Sequence, residues 1–252
     1  MKTLLCNALA ALGACAAFGQ VAPKPPAFEV ADVQCSKPDA KPARPRFLPG
    51  GRVDLHGITM KLMIMAAYGV QDDLVIGGPA WLDADRFDVV AKAPPATPDT
   101  TLYLMLRTLL AERFHLAIHN EDKSLPAYAL TVVKPALLKA AAGSGQPDCA
   151  WQEGAPGRIR RVCHNISMPE LARQIPLWGR ANIDLPVKDL TGITGAYDIE
   201  LEWNLPVDGA EPKPLFPAIL DAMPHAGLRL EPRKLSMSVI VIDHVERVPV
   251  EQ

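Results

Sequence analysis

The chain has 252 residues, with 26 lysines and arginines against 28 aspartates and glutamates, and its formal charge of −2 gives no electrostatic ground for a nucleic-acid partner. Apolar residues at 49% and charged residues at 21% exclude global disorder, and the length suits one large domain or two of about 100 to 125 residues each. The 25 prolines, concentrated between periodic segments, exclude a bundle of long helices.

Met1 and Lys2 precede an apolar stretch from Thr3 to Phe18 that is too short for a bilayer-spanning helix and ends in small residues. It reads as a signal peptide over residues 1–19, cleaved after Ala17-Phe18-Gly19 to leave Gln20 first. A competing lipobox, Leu12-Gly13-Ala14-Cys15, would lipidate Cys15, although glycine at its second position is a weaker match. No later segment approaches the roughly 20 consecutive apolar residues of a transmembrane helix. The expected product is exported, periplasmic or extracellular. A Pro-rich lead (20–50) follows, with a strand predicted over Phe28 to Val33.

A first unit is predicted over 51–134. It begins with an alternating segment, Arg52 to His56, and a helix capped by Thr59, whose buried face is Met60, Met63, Ile64 and Ala67 and whose stop is Gly69. A strand over Arg86 to Lys92 comes next, then a helix with the stripe Leu102, Met105, Leu106 and Leu109. A terminal hairpin is expected from His115–Asn120 and Ala127–Val133. Residues 135–156 are Ala/Gly/Ser/Pro-rich and read as a linker or mobile crossover.

The second unit, 157–248, restates the first. His56-Gly57-Ile58-Thr59-Met60 recurs as His164-Asn165-Ile166-Ser167-Met168, and the helix face recurs as Met168, Leu171, Ala172 and Ile175. Ser167-x-x-Glu170 is a capping box. An alternating segment, Arg158 to His164, precedes that helix, and a strand over Ala196 to Trp203 follows it. A helix stripe of Phe216, Ile219, Leu220 and Met223 leads to a second hairpin, Leu228–Glu231 with Ser236–Val245. The predicted fold is therefore α+β: two tandem β-α-β-α-β-β repeats, each a small mixed sheet with two helices on one side.

If the signal leaves, Cys35, Cys149 and Cys163 remain. An oxidising compartment favours a Cys149–Cys163 disulfide, which closes a loop of about 15 residues and contributes ~3 kcal/mol in the chain-entropy model. The competing reading, a Cys163 thiolate activated by His164, is hampered because adjacent strand residues point to opposite faces. Cys35 is the odd thiol, either buried, free or intermolecular.

Several runs carry a family resemblance. They are Phe28-Glu29-Val30-Ala31, the segment from Gly77 to Asp88 (Gly-Gly-Pro-Ala-Trp-Leu-Asp-Ala-Asp-Arg-Phe-Asp), Leu109 to Phe114, Asp189 to Asp198, and Val241-Ile242-Asp243-His244-Val245-Glu246. With them the chain resembles the Solibacter-type exported paralogous family of soil acidobacteria, a domain of unknown function, over nearly the whole mature length. More distantly, each half resembles the short N-terminal domain of secretins and TonB-dependent receptors, a module that contacts other envelope proteins. Some family members are similar domains fused to a membrane metallopeptidase, which implies an extracytoplasmic sensing role, although no such fusion is expected here.

The six histidines are scattered, and neither His-Glu-x-x-His nor Cys-x-x-Cys occurs. His115 and His119 would share a face if their segment were a strand, near Glu121 and Asp122. His56 and His164, at equivalent positions, suggest a structural task performed twice, such as bonding to loop backbone. Asp83, Asp85 and Asp88 around Arg86 offer hard oxygen ligands, against the plainer reading of a turn in which an aspartate pairs with Arg86 and Trp81 packs on the core. Asp198, Glu200 and Glu202 share one strand face. No catalytic residue, metal site or cofactor is expected. The candidate interaction residues are Trp81, Asp83, Asp85 and Arg86, and the expected function is a non-enzymatic envelope binding module for a protein partner or small ligand. The alternative is an envelope hydrolase using Asp83 and Asp85.

Overall fold

The computed structural model describes residues 24–37, 46–48, 50–143, 145–178, 183, 185–204 and 215–250. The signal-peptide reading, with Cys6 and Cys15, lies outside them. In chain order the elements are β1 (Val30–Cys35), β2 (Arg46–Leu48), β3 (Arg52–Thr59), α1 (Met60–Tyr68), β4 (Val75–Gly77), α2 (Trp81–Ala84), β5 (Arg86–Lys92), α3 (Asp99–Phe114) and β6 (Ala117–Val132). They continue as β7 (Lys139–Ala140), β8 (Asp148–Glu153), β9 (Arg158–Ser167), α4 (Met168–Trp178), β10 (Val187–Asp189), β11 (Ala196–Asn204), α5 (Leu215–Ala222) and β12 (Leu228–His244).

The fold is α+β, built on three four-stranded sheets. The outer two have corresponding orders, β1-β5-β3-β2 and β7-β11-β9-β8, with every pairing antiparallel. The third, β10-β6-β12-β4, lies between them and is the mixed one: β6 and β12 run antiparallel, while β10 and β4 flank them in parallel. Each half lends its short strand to the other half's long one, since β4 pairs with β12 and β10 pairs with β6. The halves are thus interlocked, where the sequence suggested two mixed sheets in tandem.

Neither expected hairpin forms. Residues 117–132 are one continuous strand, and so are residues 228–244. The polar stretches Glu121–Pro126 and Pro232–Ser236 look like turns in sequence, but they form the middle of a two-stranded ribbon that is mostly exposed. A ribbon wetted on both faces needs no apolar alternation, so its strand signal is missing. At its centre Ser124 faces Ser236, 112 residues on, the same spacing that relates the left-handed residues His115 and Gly227 ahead of these strands. The same spacing relates the pair Val75–Ile240 to the pair Val187–Tyr128. His115 (φ 48°) is thus the cap of α3, outside the strand that carries His119.

Two cores sit at the two ends of the ribbon. In the first, Met60, Met63, Ile64 and Ala67 of α1 and Leu102, Leu106 and Leu110 of α3 cover Val53, Leu55, Phe87 and Val89, with Ile242 added from β12. In the second, Met168, Leu171, Ala172 and Ile175 of α4 with Ile219 of α5 cover Cys163, Ile199, Leu201 and Trp203, with Leu130 added from β6. The predicted caps form: Thr59 accepts from the Leu62 N–H at 3.3 Å, Ser167 accepts from the Glu170 N–H at 3.4 Å, and Gly69 ends α1 at φ 64°. Segment 135–156 is more than a connection, because it supplies β7 and β8. Cys149 of β8 stands opposite Cys163 of β9, and the two are disulfide-bonded. Cys35 is free and exposed.

Candidate binding site

The repeated histidine motif marks a bulge. His56-Gly57 stands opposite Asp88 alone, and His164-Asn165 opposite Asp198 alone, so two residues of one strand face one of its neighbour. Gly57 and Asn165 take left-handed backbone, φ 59° and 52°. The Gly57 N–H donates to Asp88 Oδ1 at 2.8 Å, and the Asn165 N–H donates to Asp198 Oδ1 at 3.0 Å. Each imidazole stands beside the same carboxylate, with Nδ1 at 3.7 Å in the first half and 3.6 Å in the second. The task performed twice is real, but the aspartate on the facing strand performs it, and the histidine is its neighbour. Its sequence signal was the aromatic-Asp pair, Phe87-Asp88 and Tyr197-Asp198. Burial alone would raise the Asp88 carboxyl, but the Gly57 N–H, the Ser36 hydroxyl and His56 together hold it below its usual range.

Trp81, Asp83, Asp85 and Arg86 fall at α2 and the start of β5 and are tied to different partners. Trp81 packs on the first core, edge-on to Phe87 with centroids 6.3 Å apart. Asp83 lies 3.5 Å from the Lys61 ammonium, which holds Asp72 at 2.6 Å. Asp85 accepts from Nε and Nη2 of Arg247. Arg86, expected to pair with an aspartate, donates instead to the Gly57 carbonyl at 2.7 Å, so β5 grips the first bulge by its N–H and its C=O. Ala196 begins β11 where Arg86 begins β5, and the second bulge lacks that second grip. Among the described residues no group of three or more His, Cys, Asp or Glu is placed to hold a metal ion. No helix among them is long and apolar enough to cross a membrane.

The place where the halves diverge was not foreseen. In the first sheet β1 covers the edge of β5 along its whole length, Val30 facing Lys92 through to Cys35 facing Phe87. In the second, β7 covers β11 only at Tyr197 and Asp198, because the chain before Lys139 is drawn into a 3-10 turn at Pro135–Leu137. Past Asp198, among the described residues, that edge of β11 is unpaired and borders a groove of about 640 Å³. Ala218, Ala222 and Ala226 from α5 and the turn after it form its apolar wall, and Ile199 and Trp203 also line it. Asp198, Glu200, Glu202 and Asp221 add carboxylates, against Lys139 and Arg158 with His225.

The outer end of that sheet is also distinctive. Arg161 lies over the Trp151 ring at 4.8 Å and the Trp178 ring at 5.4 Å, and desolvation pushes its guanidinium pKa down. The corresponding residue of β3 is the buried Val53. Trp151, on the edge strand β8, is 45% exposed.

Among the described residues, the fold is a two-lobed α+β protein in which β1 covers one outer sheet edge fully and β7 covers the corresponding edge of the other only in part. Residues 61–245 match the family model DUF3738, described as a protein of unknown function, and the chain belongs to that family. No curated protein and no solved structure matches the chain.

Proposed function

We propose that this protein is a non-enzymatic interaction module of the cell envelope, exported by its first 19 residues, that engages a partner at the open edge of β11. The observation that carries this reading is the contrast between corresponding edges: among the described residues, β5 is covered from Phe87 to Lys92, whereas β11 past Asp198 borders a groove and no strand. An unpaired edge presents a row of backbone donors and acceptors, which folded proteins cover unless something else is to pair there. Two further features support it: the disulfide suits an oxidising compartment, and the resemblance of each half to envelope contact modules points the same way. Hydrolysis at Asp83 and Asp85 lacks comparable support, since Lys61 and Arg247 occupy those carboxylates.

The test is site-specific photo-cross-linking in the native envelope, with a benzophenone side chain at Glu200 or at Val90, its counterpart on the covered strand β5. One dominant adduct from position 200 and none from position 90 is expected. Adducts from both positions, or from neither, would overturn the reading.

A further inference from the structure

Resting on that reading, we infer that the occupant of the groove is an extended segment of a partner protein, added antiparallel to β11, with bulky apolar residues on one face and basic residues on the other. The first half shows what this position takes. β1 lies against β5 from Lys92 to Phe87, and β7 begins the same pairing at Tyr197–Ala140 and Asp198–Lys139 before the chain turns away. An entering segment continues the line of β7 and meets the backbone groups of residues 199–204.

Side-chain volume sets the apolar face. β1 directs only the small Ala31 and Val33 toward its core, because α3 fills the space behind with Leu110 and Phe114, both fully buried. The residue before the left-handed cap is Phe114 in the first half and Ala226 in the second, and one turn earlier Leu110 gives way to Ala222. The volume withheld by the helix is left for the strand. Trp203, 4% exposed, lines this space on the core side of β11.

Charge sets the other face. Glu200 and Glu202 alternate along the outward side of β11, each already beside one arginine, Arg160 at 2.9 Å and Arg158 at 3.3 Å, and the four carboxylates lining the groove still outnumber its two fixed cations, Lys139 and Arg158. Basic residues at every second position of an added strand stand beside these acids as cross-strand pairs.

The experiment uses the disulfide-bonded chain and a dye-labelled nine-residue peptide that alternates lysine with leucine or valine. Binding is read by fluorescence anisotropy. Saturable binding is expected, weakened at least tenfold when alternate backbone amides on one edge are N-methylated, because the side chains persist while the ladder is lost. Ala222→Leu and the half-buried Ala218→Leu are each expected to weaken it at least fivefold, and the second keeps the test open if the first fails to fold. Equal binding of the N-methylated peptide, or unchanged binding by Ala218→Leu, would overturn strand addition. So would self-association of the chain that closes the groove, which would name a second copy as the occupant. A peptide that does not bind, while Glu200 still cross-links to one envelope protein, would overturn this inference and leave the interaction module standing.

Discussion

The two halves share a strand order and a bulge but spend their sequence differently at the sheet edge. In the first half Phe87 meets Phe114 edge-on at 5.1 Å, β1 closes the edge, and Arg113 donates to the Ala31 carbonyl at 2.8 Å to hold β1 in place. In the second half the corresponding helix turns alanines toward β11, the covering strand is two residues long, and a disulfide pins the opposite edge strand. The difference teaches that one scaffold can be closed by packing or held by a cross-link. Among the described residues the second arrangement leaves the larger space, about 640 Å³ beside β11 against about 260 Å³ beside β1.

The most disruptive way to break this comparison is to open the closed half. Phe114→Ala removes a fully buried ring from the first core and is expected to cost about 3–5 kcal/mol. Ala218→Ser, beside the groove, should stay within about 0.5 kcal/mol. Urea unfolding of the two variants reads the contrast directly. Comparable losses would mean that the second half is as tightly packed as the first.

Replacing Cys149 and Cys163 together by serine is next in size. The cross-link spans 14 residues and is expected to contribute ~3 kcal/mol through the unfolded chain. In the first half the counterpart of Cys163 is Leu55, buried in the core and trimmed at smaller cost by Leu55→Val, about 1 kcal/mol. Reductant should therefore lower the urea midpoint of the wild-type chain and leave the double serine variant unmoved.

The bulge aspartates sharpen the comparison further. Asp88 accepts from the Gly57 N–H and from the Ser36 hydroxyl, whereas Asp198 has the Asn165 N–H. Asp88→Asn is expected to cost about 1.5–3 kcal/mol as a charged acceptor is lost, and Asp198→Asn less. The Asp88 carboxyl is held below its usual range in the folded protein. Its stabilisation is therefore fully present above the ordinary carboxylate range and is lost as pH falls through the lowered folded value. Thermal unfolding from pH 7 down to pH 3 should show a shallower acid dependence in Asp88→Asn than in the wild type.

What the sequence made legible follows from where periodicity survives. The α1 and α4 faces and the strands at Arg86–Lys92 and Ala196–Trp203 could be read because each buries one face and exposes the other, and the hydroxyl caps and the cysteine pair because their residue types and spacing signal them. The long ribbon could not be read: Glu121–Pro126 is wetted on both sides, and its partner lies more than 100 residues away. The exchange of β4 and β10 between halves was hidden for the same reason, since three-residue strands carry no period. The candidate site was missed because it is an absence of cover. Ala218, Ala222 and Ala226 look like ordinary helix formers until the edge beside them is seen to lack a strand among the described residues.

The smallest effects test whether the two bulges are one device in two spellings. Gly57 and Asn165 both take left-handed backbone, the first with no side-chain cost and the second with one of the few side chains that tolerate it. Gly57→Ala places a Cβ where it costs about 1–2 kcal/mol, while Gly57→Asn should cost roughly half as much. Asn165→Gly relieves that strain but loses the bond from the Asn165 amide to the Gly145 carbonyl, so its net effect is expected within about 0.5 kcal/mol of zero. If the motif is interchangeable, the double exchange Gly57→Asn with Asn165→Gly should melt within a few degrees of the wild type. A loss well beyond the sum of the two single changes would instead mean that each bulge is fitted to its own surroundings, the Asn165 amide being required to hold the Gly145 carbonyl.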